Sequence, residues 1–207
     1  MVPFAVLDAT QKKGGREPSF LLIRSIKDVP VPIKLYQKRL LVSLFNGAII
    51  DIETTGLNPD MDEIITFGFL VKDRVTVMQR MDASAEEFYE AVRSRISELP
   101  RPLYAHNARF EKGFLASMLG ARLDIVDIFH PWMERVESEA MKYPALDELA
   151  HLPREYFREK PLKGEGVTFL WRSYQKTREK RKLSLIVRHN MEDLVQALYV
   201  LAHVTRD

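Results

Sequence analysis

The sequence predicts an α/β fold built on a sheet of mixed strand direction, and three observations point there. Apolar, β-rich runs at Ala48-Ile49-Ile50-Asp51-Ile52, Ile64 to Val71 and Arg74 to Met78 follow one another with only short polar turns between them, which is the pattern of an antiparallel meander. Helical and strand periodicities then alternate from Ser84 to Ile128, as they do where crossovers make strands parallel. The last third reads as helices alone. Three strands, helix, strand, helix, strand and a helical remainder fit a mixed sheet flanked by helices.

Taken in order, Phe4 to Leu7 and Phe20 to Ile23 enclose a polar, turn-rich stretch from Lys12 to Pro18 and predict a β-hairpin. Lys27 to Gly47, with Pro30 and Pro32 near its start, is a lead-in of mixed structure. Residues 1–47 are therefore expected to form an N-terminal extension, and residues 48–207 the main domain. After the three strands, Ser84 with Glu87 three residues on is a capping-box signature. It opens a helix through Phe88, Val92 and Ile96 to about Leu99, which Pro100 and Pro102 end. Leu103-Tyr104-Ala105 predicts a short strand, Phe110 to Leu119 an amphipathic helix closed by Gly120, and Leu123 to Ile128 a further strand. Helices are then expected over Met133 to Met141, Ala145 to Leu152, Phe169 to about Thr177 and Leu183 to Val204, with a loop around Lys163-Gly164-Glu165-Gly166.

Composition narrows the chemistry. With 46% hydrophobic residues in 207, the chain can bury a sizeable core. The absence of cysteine excludes disulfides, thiolate metal sites and cysteine nucleophiles, so any metal must be held by oxygen or imidazole. The N-terminus lacks a signal-peptide pattern and no run reaches the ~18 apolar residues of a membrane span. A cytoplasmic protein is expected. There is no Gly-x-x-x-x-Gly-Lys loop, Gly-x-Ser-x-Gly elbow or His-Glu-x-x-His helix.

Asp51 and Glu53 lie two apart on a predicted strand, so both leave one face while Ile50 and Ile52 take the other. Two acids on one side of a core strand repel each other and are costly to bury unless a cation sits between them. They are followed by Thr54-Thr55-Gly56-Leu57. This Asp-x-Glu-Thr-Thr-Gly string resembles the first motif of the DEDD, or DnaQ-like, 3′–5′ exonucleases, whose fold is ribonuclease H-like and which cleave phosphodiesters with two divalent metal ions.

Further motifs extend the resemblance. His106-Asn107-Ala108-Arg109-Phe110-Glu111 is similar to the family's Asn-x-x-Phe-Asp segment, with Glu111 in place of the usual aspartate. One extra methylene moves that carboxylate by roughly 1–1.5 Å on bond-length grounds. Read without the family, Glu111 is a first-turn acid facing the helix dipole. His189-Asn190-Met191-Glu192-Asp193 resembles the last motif, with histidine four residues before the aspartate rather than five. That spacing is similar to the YprB-like branch, which also carries a glycine-containing loop and a helical tyrosine; Gly164 or Gly166 and Tyr174 fit loosely. The likeness covers roughly Ala48 to Leu201.

The resemblance implies that Asp51, Glu53, Glu111 and Asp193 hold two Mg²⁺ or Mn²⁺ ions and that His189 is the general base. Four carboxylates against two divalent cations balance in charge. Imidazole can take a proton near neutral pH, although the spacing also allows His189 to be a surface histidine, with His106 as its rival. Thr54, Thr55, Gly56 and Leu57 inherit the grip on the terminal nucleotide, with His106 and Asn107 beside them. The implied substrate is the single-stranded 3′ end of DNA or RNA. Two rivals remain open: a structure-specific endonuclease on the same metal core, and a catalytically degenerate domain that binds nucleic acid or protein.

Charge is segregated behind a formal net value of +2. Arg172, Lys176, Arg178, Lys180, Arg181, Lys182 and Arg188 stand against Glu179 alone and give +6 in 17 residues. Such a run is either a solvated face or a phosphate-binding one, and Arg172, Lys176 and Arg188 are the candidates for the second role. Trp171 and Tyr174 are candidates for base stacking, whereas Phe110 is expected in the core.

Overall fold

The computed structural model describes residues 33–39, 45–120, 122–130, 146 and 164–204. The expected N-terminal hairpin and the helices expected over Met133 to Met141 and Ala145 to Leu152 fall outside these residues, Leu146 apart. The described strands are β1 (Ile33–Arg39), β2 (Ala48–Thr54), β3 (Ile64–Val71), β4 (Arg74–Arg80), β5 (Leu103–Ala105) and β6 (Ile125–Asp127). The helices are α1 (Ala85–Glu98), α2 (Ala108–Leu119), α3 (Gly164–Thr177) and α4 (Lys180–Val204). The strands form one sheet in the order β1-β4-β3-β2-β5-β6. β1 to β4, β4 to β3 and β3 to β2 are antiparallel, while β2 to β5 and β5 to β6 are parallel. The mixed sheet and the strand–helix alternation agree with the sequence pattern.

Alternation along β2 decides what each face of the sheet carries. Ala48, Ile50 and Ile52 point into a core shared with Phe88, Val92 and Ile96 of α1 and Phe114, Leu115 and Leu119 of α2. Ile49 points the other way, into a core with Leu194, Ala197, Leu198 and Leu201 of α4. Asp51 and Glu53 share the parity of Ile49 and so emerge beneath α4. Each fully buried large apolar side chain adds about 1.5–3 kcal/mol, so both faces hold β2 firmly at the centre.

Helix termini follow local chemistry. Ser84 caps α1 through a reciprocal capping box: Glu87 N–H donates to Ser84 Oγ at 3.2 Å and Ser84 N–H to Glu87 Oε2 at 2.9 Å. Gly120, at φ 62°, ends α2 with its N–H on Ala116 O, a left-handed position that glycine takes without strain.

Three boundaries differ from the sequence reading. The lead-in contains β1, an edge strand paired along its length with β4, so the segment before residue 48 contributes to the sheet. α3 begins at Gly164, where a loop was expected, because the buried stripe of Val167, Leu170, Trp171 and Tyr174 starts before Phe169. Packing of that stripe outweighs the helix cost of Gly164 and Gly166, about 1 kcal/mol each. α4 begins at Lys180 rather than Leu183, so much of the basic run is helical.

Candidate metal site

β2 delivers the first two acids. Asp51 lies opposite Gly68 of β3 and Glu53 opposite Thr66, with a bulge between Glu53 and Thr54 that ends the regular ladder. Glu53 is buried, 8% exposed. Across from them, α4 supplies His189 and Asp193, four apart on one helical face. His189 Nε2 is 3.9 Å from Glu53 Oε1 and 3.7 Å from Asp193 Oδ2. Ligand atoms of Glu53, His189 and Asp193 lie within 4.8 Å of one another. His189 is 4% exposed, which removes the surface-histidine alternative.

The close approach of α4 to the sheet depends on a residue the sequence reading did not single out. A Cβ on Gly68 would overlap Asn190 Oδ1 and stand 2.8 Å from Leu194 Cδ1. In the space glycine leaves, Asn190 is fully buried. Its Nδ2 donates to Asp51 Oδ2 at 2.6 Å and reaches Asp51 O at 3.4 Å. Asn190 therefore fixes the first carboxylate from the helix that carries the histidine.

Glu111 comes from the first turn of α2 and is 3% exposed. It is a first-turn acid, as the reading without the family has it, and it is buried. Its Oε2 is buried without a hydrogen-bond partner among the described residues. Burial pushes its carboxyl well above the usual glutamate range, the nearby charge of Asp51 adds to the rise, and Asp127 adds further, against a lowering backbone hydrogen bond. The helix start behind it is held by Asp127, which accepts from Ala108 N–H at 3.0 Å and from Phe129 N–H at 2.9 Å. Asn107 turns the chain at φ 58° and makes no side-chain cap bond. Asp127 does the capping from a distant strand, a contact no local motif announces.

The segment after Glu53 is a braced loop. Thr54 Oγ1 donates to Gly56 O, Thr55 Oγ1 to Asp62 Oδ1, and Thr55 Oγ1 accepts from Glu63 N–H. Asp62 also takes the Asn58 N–H, and a Cβ on Gly56 would strike its carboxylate. Leu57 projects from this loop 85% exposed. Glu63 pairs with Arg80, whose buried guanidinium stands 5.0 Å over the Trp171 ring.

The remaining expected residues divide sharply. His106 is half-buried, edge-on to Phe129, and Asn107 is exposed. Arg172 and Lys176 are exposed on α3, and Arg188, also exposed, donates to Glu192 Oε1 at 2.8 Å. Tyr174 and Trp171 are each 2% exposed, stacked on one another beneath α3 and α4. No base can stack on either in this conformation; their helical spacing serves the core. Phe110 packs on Phe114 at 4.8 Å, as expected of a core residue.

The carboxylates of Glu53 and Asp193, with the His189 imidazole between them, make a donor set that suits a divalent cation. A profile described as the RNase_H superfamily matches residues 48–205. Among solved structures, one described as the apo form of a nuclease is similar at 14% identity, with a TM-score of 0.47, over 79% of this chain and 75% of that one. A search of curated proteins finds no match. Among the described residues no helix is long and apolar enough to cross a membrane.

Proposed function

The chain belongs to the ribonuclease H superfamily, and from that membership we propose that it is a metal-dependent nuclease, acting as a 3′–5′ exonuclease on single-stranded DNA or RNA ends. The observation that carries the reading is the juxtaposition of Glu53, His189 and Asp193 within 4.8 Å, beneath a helix that also fixes Asp51. Asp51, Glu53, Glu111 and Asp193 are the residues that would hold two Mg²⁺ or Mn²⁺ ions. Bound there, such ions would supply activation of water and neutralisation of charge on the leaving 3′ oxygen.

The protein's own groups do the rest. His189, its Nε2 turned toward Glu53 and Asp193, receives the proton of the attacking water, and the two carboxylates stabilise the imidazolium that forms. The backbone of the loop from Thr54 to Gly56 and the exposed Leu57 grip the terminal nucleotide, with His106 and Asn107 at the neighbouring strand end. Bracing by Asp62 makes that grip pre-organised. Arg172, Lys176 and Arg188 meet phosphates of the strand leading in.

A 5′-labelled oligonucleotide, as DNA and as RNA, incubated with Mg²⁺ or Mn²⁺ beside an Asp51→Ala control tests the proposal. A progressive ladder that the control lacks is expected, together with an intact closed circular single strand. No cleavage in any condition, or an unchanged ladder in the control, overturns the reading; cleavage of the circle replaces it with an endonuclease.

A further inference from the structure

Burial of Trp171 and Tyr174 leaves a different aromatic facing water on the same helix. Phe169 is 70% exposed, on a helix whose opposite stripe is packed. At 100° per residue, Phe169, Arg172, Ser173 and Lys176 fall on one face of α3 while Val167, Leu170, Trp171 and Tyr174 fall on the other. The second group is the buried one. Arg172 and Lys176 are exposed, and no ion pair is recorded for either among the described residues.

This face belongs to the helix that leads into α4. Only Arg178 and Glu179 separate α3 from α4, and Arg178 turns the chain at φ 58°. α4 packs against α3, and α3 also touches β2. Counted along their helices, Phe169 and Arg188 stand equally far from the link, whereas Lys176 is next to it.

We infer that Phe169, Arg172 and Lys176 form a single-stranded nucleic-acid subsite, in which one base stacks on the Phe169 ring and flanking phosphates meet the two cations. The inference rests on the nuclease reading for its place in the reaction, and the chemistry chooses the ligand. An exposed ring beside cations that have no anionic partner among the described residues is complementary to a strand that offers π-faces and negative charge together. A paired duplex offers only the phosphates, since its bases are already stacked.

Fluorescence anisotropy on the full chain, in EDTA to prevent cleavage, tests it with a labelled single-stranded dodecamer and a blunt duplex. Phe169→Ala is expected to weaken single-strand binding roughly ten-fold, the size of one lost base–aromatic stack, and Phe169→Trp to restore it. Duplex binding and the salt slope should stay as in the native chain. Arg172→Ala with Lys176→Ala should lower affinity for both ligands and reduce the slope by about 0.7 per phosphate on the single strand. Single-strand binding by Phe169→Ala within two-fold of the native chain, or equal losses on strand and duplex, overturns the inference and leaves the face to a protein partner. Hydrolysis of thymidine 5′-monophosphate nitrophenyl ester, which carries one nucleotide and no flanking strand, reads the nuclease chemistry separately. Its absence would defeat the nuclease reading while leaving the binding result intact.

Discussion

Glu111 stands on the first turn of α2, whereas His189 and Asp193 stand well inside α4, and the two halves of the candidate site are held by different physics. The α2 half depends on a helix terminus: Asn107 in the left-handed region and Asp127 reaching from β6 to the Ala108 N–H. The α4 half depends on packing: helix backbone bonds, the core around Leu194 and Leu198, and the clearance over Gly68. A terminus is fixed by a few hydrogen bonds of about 1 kcal/mol each, while a packed interior moves only if the whole helix moves. The α4 half should therefore fail through volume, and the α2 half through loss of a polar contact.

Gly68→Val is the strongest test on the packing side, because its Cβ would overlap Asn190 and press on Leu194. We expect cleavage to fall below about one hundredth and stability to drop by about 1–3 kcal/mol, the usual cost of overpacking, read by ladder assay and by denaturant titration. Full activity in a folded Gly68→Val would show that α4 need not sit this close. Asn190→Ala leaves the clearance over Gly68 and removes the amide that donates to Asp51. A hydrogen bond to a charged group is worth about 1.5–3 kcal/mol, so kcat should fall roughly ten- to hundred-fold with KM little changed, and Mn²⁺ affinity measured by titration calorimetry should weaken alongside. On the terminus side, Asp127→Ala leaves the Ala108 and Phe129 N–H groups without their acceptor. A lost cap costs about 0.5–2 kcal/mol, and the effect on cleavage should be smaller than that of Asn190→Ala. Equal or larger loss would mean that the terminus, not the packed helix, limits the geometry.

The same division separates what could be read from sequence. Period-2 alternation placed Asp51 and Glu53 on one face because strand geometry is local, and the structure puts Ile50 and Ile52 on the opposite one. Likewise, i to i+4 spacing paired His189 with Asp193. The capping box at Ser84 was legible for the same reason. Gly68, Asn190 as a partner of Asp51, and Asp127 as a cap for α2 were not, since each acts on a residue far away in the chain. Edge strand β1 was hidden because pairing with β4, rather than its own pattern, defines it. For Trp171 and Tyr174, helical spacing alone could not say which way α3 would turn its aromatics. Their burial and the exposure of Phe169 answer that, and the proposed stacking partner becomes Phe169, two residues before Trp171 and five before Tyr174.

The smallest expected effect concerns Glu111 and pH. Its carboxyl is raised by burial, then by Asp51 and Asp127, so without metal the folded protein holds this proton more tightly than the unfolded chain does. Where the folded state binds the extra proton, stability falls as pH rises. The contribution is therefore fully present below the ordinary glutamate range and is lost as pH climbs from there through the raised folded value. In EDTA, denaturant midpoints should decline over that window, and Glu111→Gln, which cannot ionise, should flatten the decline. A divalent cation near the site would favour the ionised form and work in the same direction as the substitution, so adding Mn²⁺ should shrink the difference between the two proteins. An identical pH slope in the native chain and Glu111→Gln would mean that the α2 half is open enough for solvent to neutralise Asp51's influence, and that the terminus holds Glu111 more loosely than its hydrogen bonds suggest.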